Sequence, residues 1–288
     1  MDKSIFAVVG GDARQIALAN MLAAEGITVY CSGFEHALEQ LVGTASTDPI
    51  TALLMADTVI LPMPPTRDGR TLNAPMSTYS IMLDDEFCMT LIGKTVFAGV
   101  AGKLREVSPN YAQLNIYDYY ADESFLLRNA QATAEGALAE IISNYPRTVC
   151  GSRILLTGCG RITRFLAPML RSIGGKISVA ARRQSDRSMI VSMGMDALTF
   201  GKAMRRARDF DIIINTVPAP VIDKGFVDAL TPEAFLIDLA SAPGGIDLEA
   251  CKKRNIRAFQ SLGLPGRYSP VTAAEIIKET VMSILEEG

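Results

Sequence analysis

Two glycine-bearing turns are the places where this chain could hold a ligand. In "LLTGCGRIT", Gly158 and Gly160 occupy the first two positions of a GxGxxG pattern, with Thr163 at the third. The first glycine permits a tight turn. The second lets backbone approach a pyrophosphate at the start of the helix opened by Arg161 and Ile162. The third position governs only helix–strand packing. An ordinary turn is the alternative, but an apolar strand before and a helix after favour a dinucleotide loop. The other turn, "FAVVGGDARQ", has Gly10 and Gly11 between a strand and a helix. It lacks the dinucleotide spacing and places Arg14 in the first turn of its helix, with Asp12 as a candidate cap.

Further polar groups fall where strands of the second half end. After "KISVA" comes "ARRQSD", with Arg182, Arg183 and Ser185 where an NAD site usually has an acid. Arginine forks pair with phosphate, so NADP(H) is expected over NAD(H), with NAD(H) possible and one arginine expected to be solvated. "NTVP" supplies Asn215, Thr216, Val217 and Pro218, and "LIDLAS" supplies Asp238, Ala240 and Ser241. Asn215 and Thr216 suit cofactor contact or simple turn chemistry. Asp238, inside an apolar strand, is either a catalytic carboxylate or a hydrogen-bonded structural one.

The elements that must position these groups alternate strand and helix. "SIFAVVG", "ITVYCSG" and "DTVILPMP" read as buried strands, as do "DIIINTVP", "AFLIDLAS" and "IRAFQ". That alternation predicts α/β architecture. The fold class expected is two Rossmann-like, doubly wound parallel-sheet domains with a cleft between them. The first covers 1–129, with a C-terminal helix over 270–288 packing back. The second covers 130–269, entered through a connector helix over 129–145. "PMPPTRDGRTLNAP" is a long loop directly after a strand, where such sheets bind ligands.

Composition narrows the function classes. The 288 residues carry a net charge of −3 and no basic run with interleaved aromatics, which argues against nucleic acid. No run approaches the roughly 18 apolar residues of a membrane span, and the N-terminus does not read as a signal peptide. The five cysteines show no CxxC spacing and read as small buried hydrophobes of a reducing cytosol. One histidine, His36, excludes a histidine-rich metal site, and no metal is expected. His36 is a weak catalytic candidate.

"VVGGDARQ", "NAQATAEGA", "GCGRIT", "DLASAPGG" and "GLPGRYSPVTAAEII", in this order, resemble the bacterial dipicolinate synthase A-subunit family over nearly the whole chain. The layout is more distantly similar to alanine dehydrogenases. The family can carry glycine where this chain has Thr163. The resemblance implies NAD(P)-dependent oxidation of a dihydrodipicolinate-type ring, from the lysine pathway, to dipicolinate in the mother-cell cytosol of an endospore former. It implies a flavoprotein-like partner, the dipicolinate synthase B-subunit, and a homo-oligomer is expected. Another dehydrogenase of a small amino or imino acid, or a dinucleotide sensor, is the alternative.

A dicarboxylate substrate would need cationic or N–H partners. Arg14 is then the first anchor, beside helix N–H groups that favour anions, with Gly11, Asp12 and Gln15 around it. Arg67 and Arg70 are secondary. Thr133 and Glu135 on the connector helix are expected near substrate, Glu135 as acid or base or as a surface acid. Gly263, Leu264 and Gly266 form a turn that either closes on substrate or merely connects.

Overall fold

The structure is a computed structural model that describes residues 4–287. Residues 1–3 and 288, which fall in the expected first domain, lie outside the described residues. The chain forms two sheets, each of six parallel strands. The first holds β1 (Phe6–Val9), β2 (Val29–Ser32), β3 (Ala45–Ser46), β4 (Thr58–Ile60), β5 (Thr95–Ala98) and β6 (Ile116–Asp118). The second holds β7 (Arg153–Thr157), β8 (Lys176–Ala180), β9 (Asp196–Leu198), β10 (Ile212–Asn215), β11 (Phe235–Asp238) and β12 (Arg257–Gln260). Their orders are β3-β2-β1-β4-β5-β6 and β12-β11-β10-β7-β8-β9. Both are the doubly wound order, which reverses beside the first strand. The chain is therefore α/β with two Rossmann-like sheets.

The strand sequences explain this arrangement. Parallel sheets are covered on both faces, so their strands are apolar throughout. In β1, Phe6 and Val8 enter one core cluster and Ala7 and Val9 the other. In β10, Ile212 and Ile214 face one cluster and Ile213 the opposite one. Each sheet thus has a core on each face.

Six helices matter below. They are α1 (Ala13–Ala24), α2 (Glu123–Asn144), α3 (Arg161–Ser172), α4 (Gln184–Ser192), α5 (Leu264–Tyr268) and α6 (Pro270–Glu287). The expected helix from Asn129 begins earlier, at Glu123, because Asp122 accepts the Phe125 N–H at 2.6 Å and starts the helix further back. Two compact units divide the chain. One runs to Asn129 and resumes at Ser269; the other is Ala130–Tyr268. In the first, α6 packs on α1 through Ala274, Ile277 and Val281.

No helix among the described residues is long and apolar enough to cross a membrane. All five cysteines are free, but only Cys31, Cys88 and Cys251 are buried as expected. Cys150 is exposed, and Cys159 is half-buried within the Gly158–Gly160 turn.

Candidate functional site

The β7–α3 turn leaves the second sheet at the point where its strand order reverses, between β7 and β10. Gly158 has φ +89°, and a Cβ there would lie 2.7 Å from Thr216 Oγ1 and 2.8 Å from the Val217 side chain. Only glycine fits. Gly160 differs: it is the N-cap residue of α3, and a Cβ there would meet nothing within 4 Å. No side chain caps the helix. The start of this 12-residue helix thus turns the positive end of its dipole, with no side-chain anion on it, toward the Gly158–Gly160 turn. These features fit a dinucleotide pyrophosphate.

Around this turn a polar network fixes the strand ends. Thr163 is buried, with Oγ1 3.2 Å from Thr216 Oγ1, and the Thr216 hydroxyl donates to Thr157 O at 2.7 Å. Threonine at the third position therefore ties α3 to the loop after β10, rather than only costing packing room. Ile162 packs against the core of the second unit. Asn215, fully buried, accepts from Thr157 Oγ1 at 2.6 Å and from Val217 N at 3.1 Å. Its Nδ2 donates to Val217 O and, at 2.7 Å, to Asp238 Oδ1. Asp238 also accepts the N–H groups of Ala240, Gly245 and Ile246. Four donors on one buried carboxylate match the hydrogen-bonded reading of Asp238. Pro218 and Ser241 lie at the ends of the loops this network holds, where Ser241 is exposed.

At the end of β8, Ala181 N donates to Leu198 O at 3.0 Å, and the chain turns into α4. Arg183 is the N-cap residue of α4, with no side-chain cap. Arg182 and Arg183 are exposed. Arg182 has no ion-pair partner among the described residues, while Arg183 Nε stands 3.8 Å from Asp186. Arg187 belongs to no motif, yet its guanidinium holds the turn by donating to Ala181 O at 2.9 Å and Arg182 O at 2.6 Å.

The β1–α1 turn is built differently, and one expectation needs correction. The start of α1 does not offer free N–H groups. Asp12 caps it, accepting the Arg14 N–H at 3.1 Å, while Gln15 Oε1 accepts the Asp12 N–H at 3.0 Å. This reciprocal pairing is a capping box. Arg14 is 4% exposed and is itself engaged. Its Nε and Nη2 each lie 2.8 Å from an Asp12 carboxylate oxygen, and Nη2 also donates to Met63 O at 3.2 Å. Burial alone would push the Asp12 carboxyl up. The bonds and charge of Arg14, helped by Arg67 farther away, hold it below its ordinary range. Gly11 N donates to Asn73 O at 2.9 Å, and a Cβ on Gly10 would strike Leu72 and Ala74. The loop after β4 thus lies directly on this turn. Gln15 Nε2 is buried without a partner.

The remaining predicted residues are less gathered. Glu135 is exposed on α2, accepting a 3.4 Å bond from Gln131. Thr133 is half-buried shortly before it on the same helix. Leu264 is 1% exposed in the core of the second unit, lying against Gly136 of α2. Gly263 has a positive φ with open space around it, and its carbonyl accepts the Gly266 N–H. His36 is exposed, and its N–H donates to Met76 O. Sequence reasoning missed Glu140, buried and paired with Arg267 at 2.8 Å, which pins α5 to α2. No local signal marks a partner so far along the chain.

Known proteins resemble this chain throughout. It is 27% identical to the dipicolinate synthase A-subunit of Bacillus subtilis (strain 168), covering 98% of this chain and 95% of that one. The solved dipicolinate synthase A-subunit of Bacillus halodurans superposes with a TM-score of 0.88 at 27% identity, covering 98% of each chain. A transhydrogenase from Sinorhizobium meliloti shares the fold, with a TM-score of 0.71 at 15% identity over 98% of this chain and 93% of that one. Residues 5–120 match the family described as the N-terminal domain of the dipicolinate synthase A-subunit. With that domain match at one end and two full-length relatives, the chain is similar throughout to dipicolinate synthase A-subunits.

Proposed function

We propose that the chain is an NAD(P)-dependent oxidoreductase that converts a dihydrodipicolinate-type precursor from the lysine pathway to dipicolinate during sporulation. The observation that carries this reading is the uncapped start of α3 behind Gly158 and Gly160. It is an anion site at the reversal point of a doubly wound sheet. When bound there, a nicotinamide dinucleotide supplies a hydride acceptor.

The chain's own residues would divide the work as follows. Gly158, Gly160, Arg161 and Ile162 hold the pyrophosphate. Arg182, Arg183 and Ser185, at the uncapped start of α4, take a 2′-phosphate and favour NADP(H). Asn215 to Pro218, with Ala240 and Ser241, border the nicotinamide. Asp238 keeps those loops in place through its four donors. Its lone pairs are committed, so Glu135 is the better placed of the two carboxylates to take a proton. Gly11, Asp12, Arg14 and Gln15 form the substrate floor, with the unpartnered Gln15 Nε2 as a donor. Aromatisation of the ring favours product, so positioning contributes more than acid–base strength. The flavoprotein-like B-subunit of dipicolinate synthase is the proposed partner, in the mother-cell cytosol.

Incubation of the lysine-pathway precursor with NADP+, with and without that partner, tests this reading by the absorbance of reduced cofactor. Turnover in either mixture is expected. Tight cofactor binding with no turnover in both would contradict an enzymatic role and favour a dinucleotide sensor.

A further inference from the structure

We infer that the hairpin after β4 forms a carboxylate seat, with Arg67 as its cation and Tyr79, backed by Ser32, on its wall. This rests on the reading of the chain as an oxidoreductase of a small dicarboxylate. The hairpin is well defined. Thr71 and Met82 form an antiparallel bridge, Leu72 N donates to Ile81 O at 2.8 Å, and Leu83 N donates to Arg70 O at 2.9 Å. Thr78 N donates to Glu35 Oε2 at 3.2 Å, and Gly11 N donates to Asn73 O at 2.9 Å. These bonds hold its tip on the β1–α1 turn and on the chain after β2. Beside the tip lies a pocket of about 510 Å³ bordered by Arg67, Thr71, Asn73, Ser77, Thr78 and Tyr79. That volume is within the range that takes a small cyclic ligand.

The polar groups of this pocket are unequally satisfied. Its one acid, Asp68, accepts from the N–H groups of Arg70 and Thr71 and from the hydroxyls of Thr66 and Thr71. Glu35, just outside, accepts the N–H groups of Gly33 and Thr78. Both carboxylates are therefore filled by the protein. Arg67 donates Nε to Asn73 Oδ1 at 3.1 Å and has no carboxylate partner among the described residues. Asn73 is anchored in turn through Nδ2 to Pro64 O, which fixes the direction of the guanidinium. Arg14, by contrast, is neutralised by Asp12. Ser32, at the end of β2, is 1% exposed. The Tyr79 phenol adjoins it. Burial and the nearby Glu35 carboxylate push that phenol up, and its bond with the Ser32 hydroxyl works the other way. A fixed cation, hydroxyl donors and no acceptor-hungry group suit an anion rich in oxygen, such as a ring carboxylate.

Calorimetric titration of dipicolinate, in metal-free buffer, into the full chain and its variants tests the seat. Arg67→Ala is expected to weaken dipicolinate about tenfold or more, the loss of one charge-assisted contact. Arg67→Lys should recover part of it, and Ser32→Ala or Tyr79→Phe should weaken it by a smaller factor. NADPH affinity and melting temperature should match the parent in every variant. Unchanged dipicolinate affinity in Arg67→Ala, or no binding to the parent chain, overturns the seat. Turnover separates the two readings. If the parent turns over and Arg67→Ala leaves KM unchanged, the seat is wrong and the oxidoreductase stands. If the parent never turns over but binds dipicolinate through Arg67, the seat stands and the oxidoreductase reading fails.

Discussion

The two glycine turns of this molecule have the same strand–turn–helix frame and opposite finishes. At the β1–α1 turn the helix start is closed by Asp12 and Gln15, and Asn73 and Leu72 lie on the glycines. At the β7–α3 turn no side chain caps the helix, and space is open at Gly160. A helix N-terminus must satisfy its N–H groups somehow. The first turn does so with its own carboxylate; the second has no side chain in that role. The difference rests on one residue type at the cap: aspartate carries an anion, whereas glycine carries no side chain and lets backbone come close. One frame thus gives a self-closed turn in one unit and an uncapped one in the other.

The most disruptive way to break this comparison is Asp12→Ala. It removes a cap and leaves the Arg14 guanidinium buried without its counter-ion, which should cost about 3 kcal/mol in urea denaturation. The double variant Asp12→Leu with Arg14→Met should recover much of that loss. Equal stability of Asp12→Ala and the parent would mean the first turn is not self-closed. Next in size is Gly158→Ala. Its Cβ would press on Thr216 and Val217 at a positive φ, so NADPH affinity should fall by about 2 kcal/mol, roughly thirtyfold, in a fluorescence titration. A parent-like dissociation constant would separate the turn from the cofactor.

Replacing Arg182 and Arg183 with alanine should cost about 1.4 kcal/mol, tenfold, in NADP+ affinity and much less in NAD+ affinity. Equal losses would remove these arginines from cofactor choice. The smallest effect is on acid stability. Asp12 is depressed in the folded state, so its contribution is complete above the ordinary carboxylate value, about 3.9. It is lost as pH falls through the lower folded value. Asp12→Asn should flatten the stability curve in that acid window and leave its shape near neutrality unaltered.

Much of the frame was legible because strand burial on both faces leaves uninterrupted apolar runs, as in "FAVV" and "DIIIN". The two- and three-residue strands β3, β6 and β9 are too short to show such a pattern. The turn at Gly158 was legible because each of its glycines has a steric purpose. Arg14 was harder. An aspartate two residues before an arginine is compatible with a free cation or a closed ion pair, and only the depth of burial decides between them. The hairpin over the first turn depends on bonds such as that of Thr78 with Glu35, 43 residues away. The Glu140–Arg267 pair spans a still longer separation. Local spacing carries no trace of either.

The central claim is that the dinucleotide sits at the β7–α3 turn and not at the β1–α1 turn. Calorimetric titration of NADPH into the parent chain and Gly160→Val tests it most directly, because the protein itself has room for a side chain at that position. The account predicts one NADPH per parent chain, and a Gly160→Val variant that melts like the parent yet has lost NADPH binding. A second NADPH site in the parent, or parent-like affinity in Gly160→Val, would contradict it.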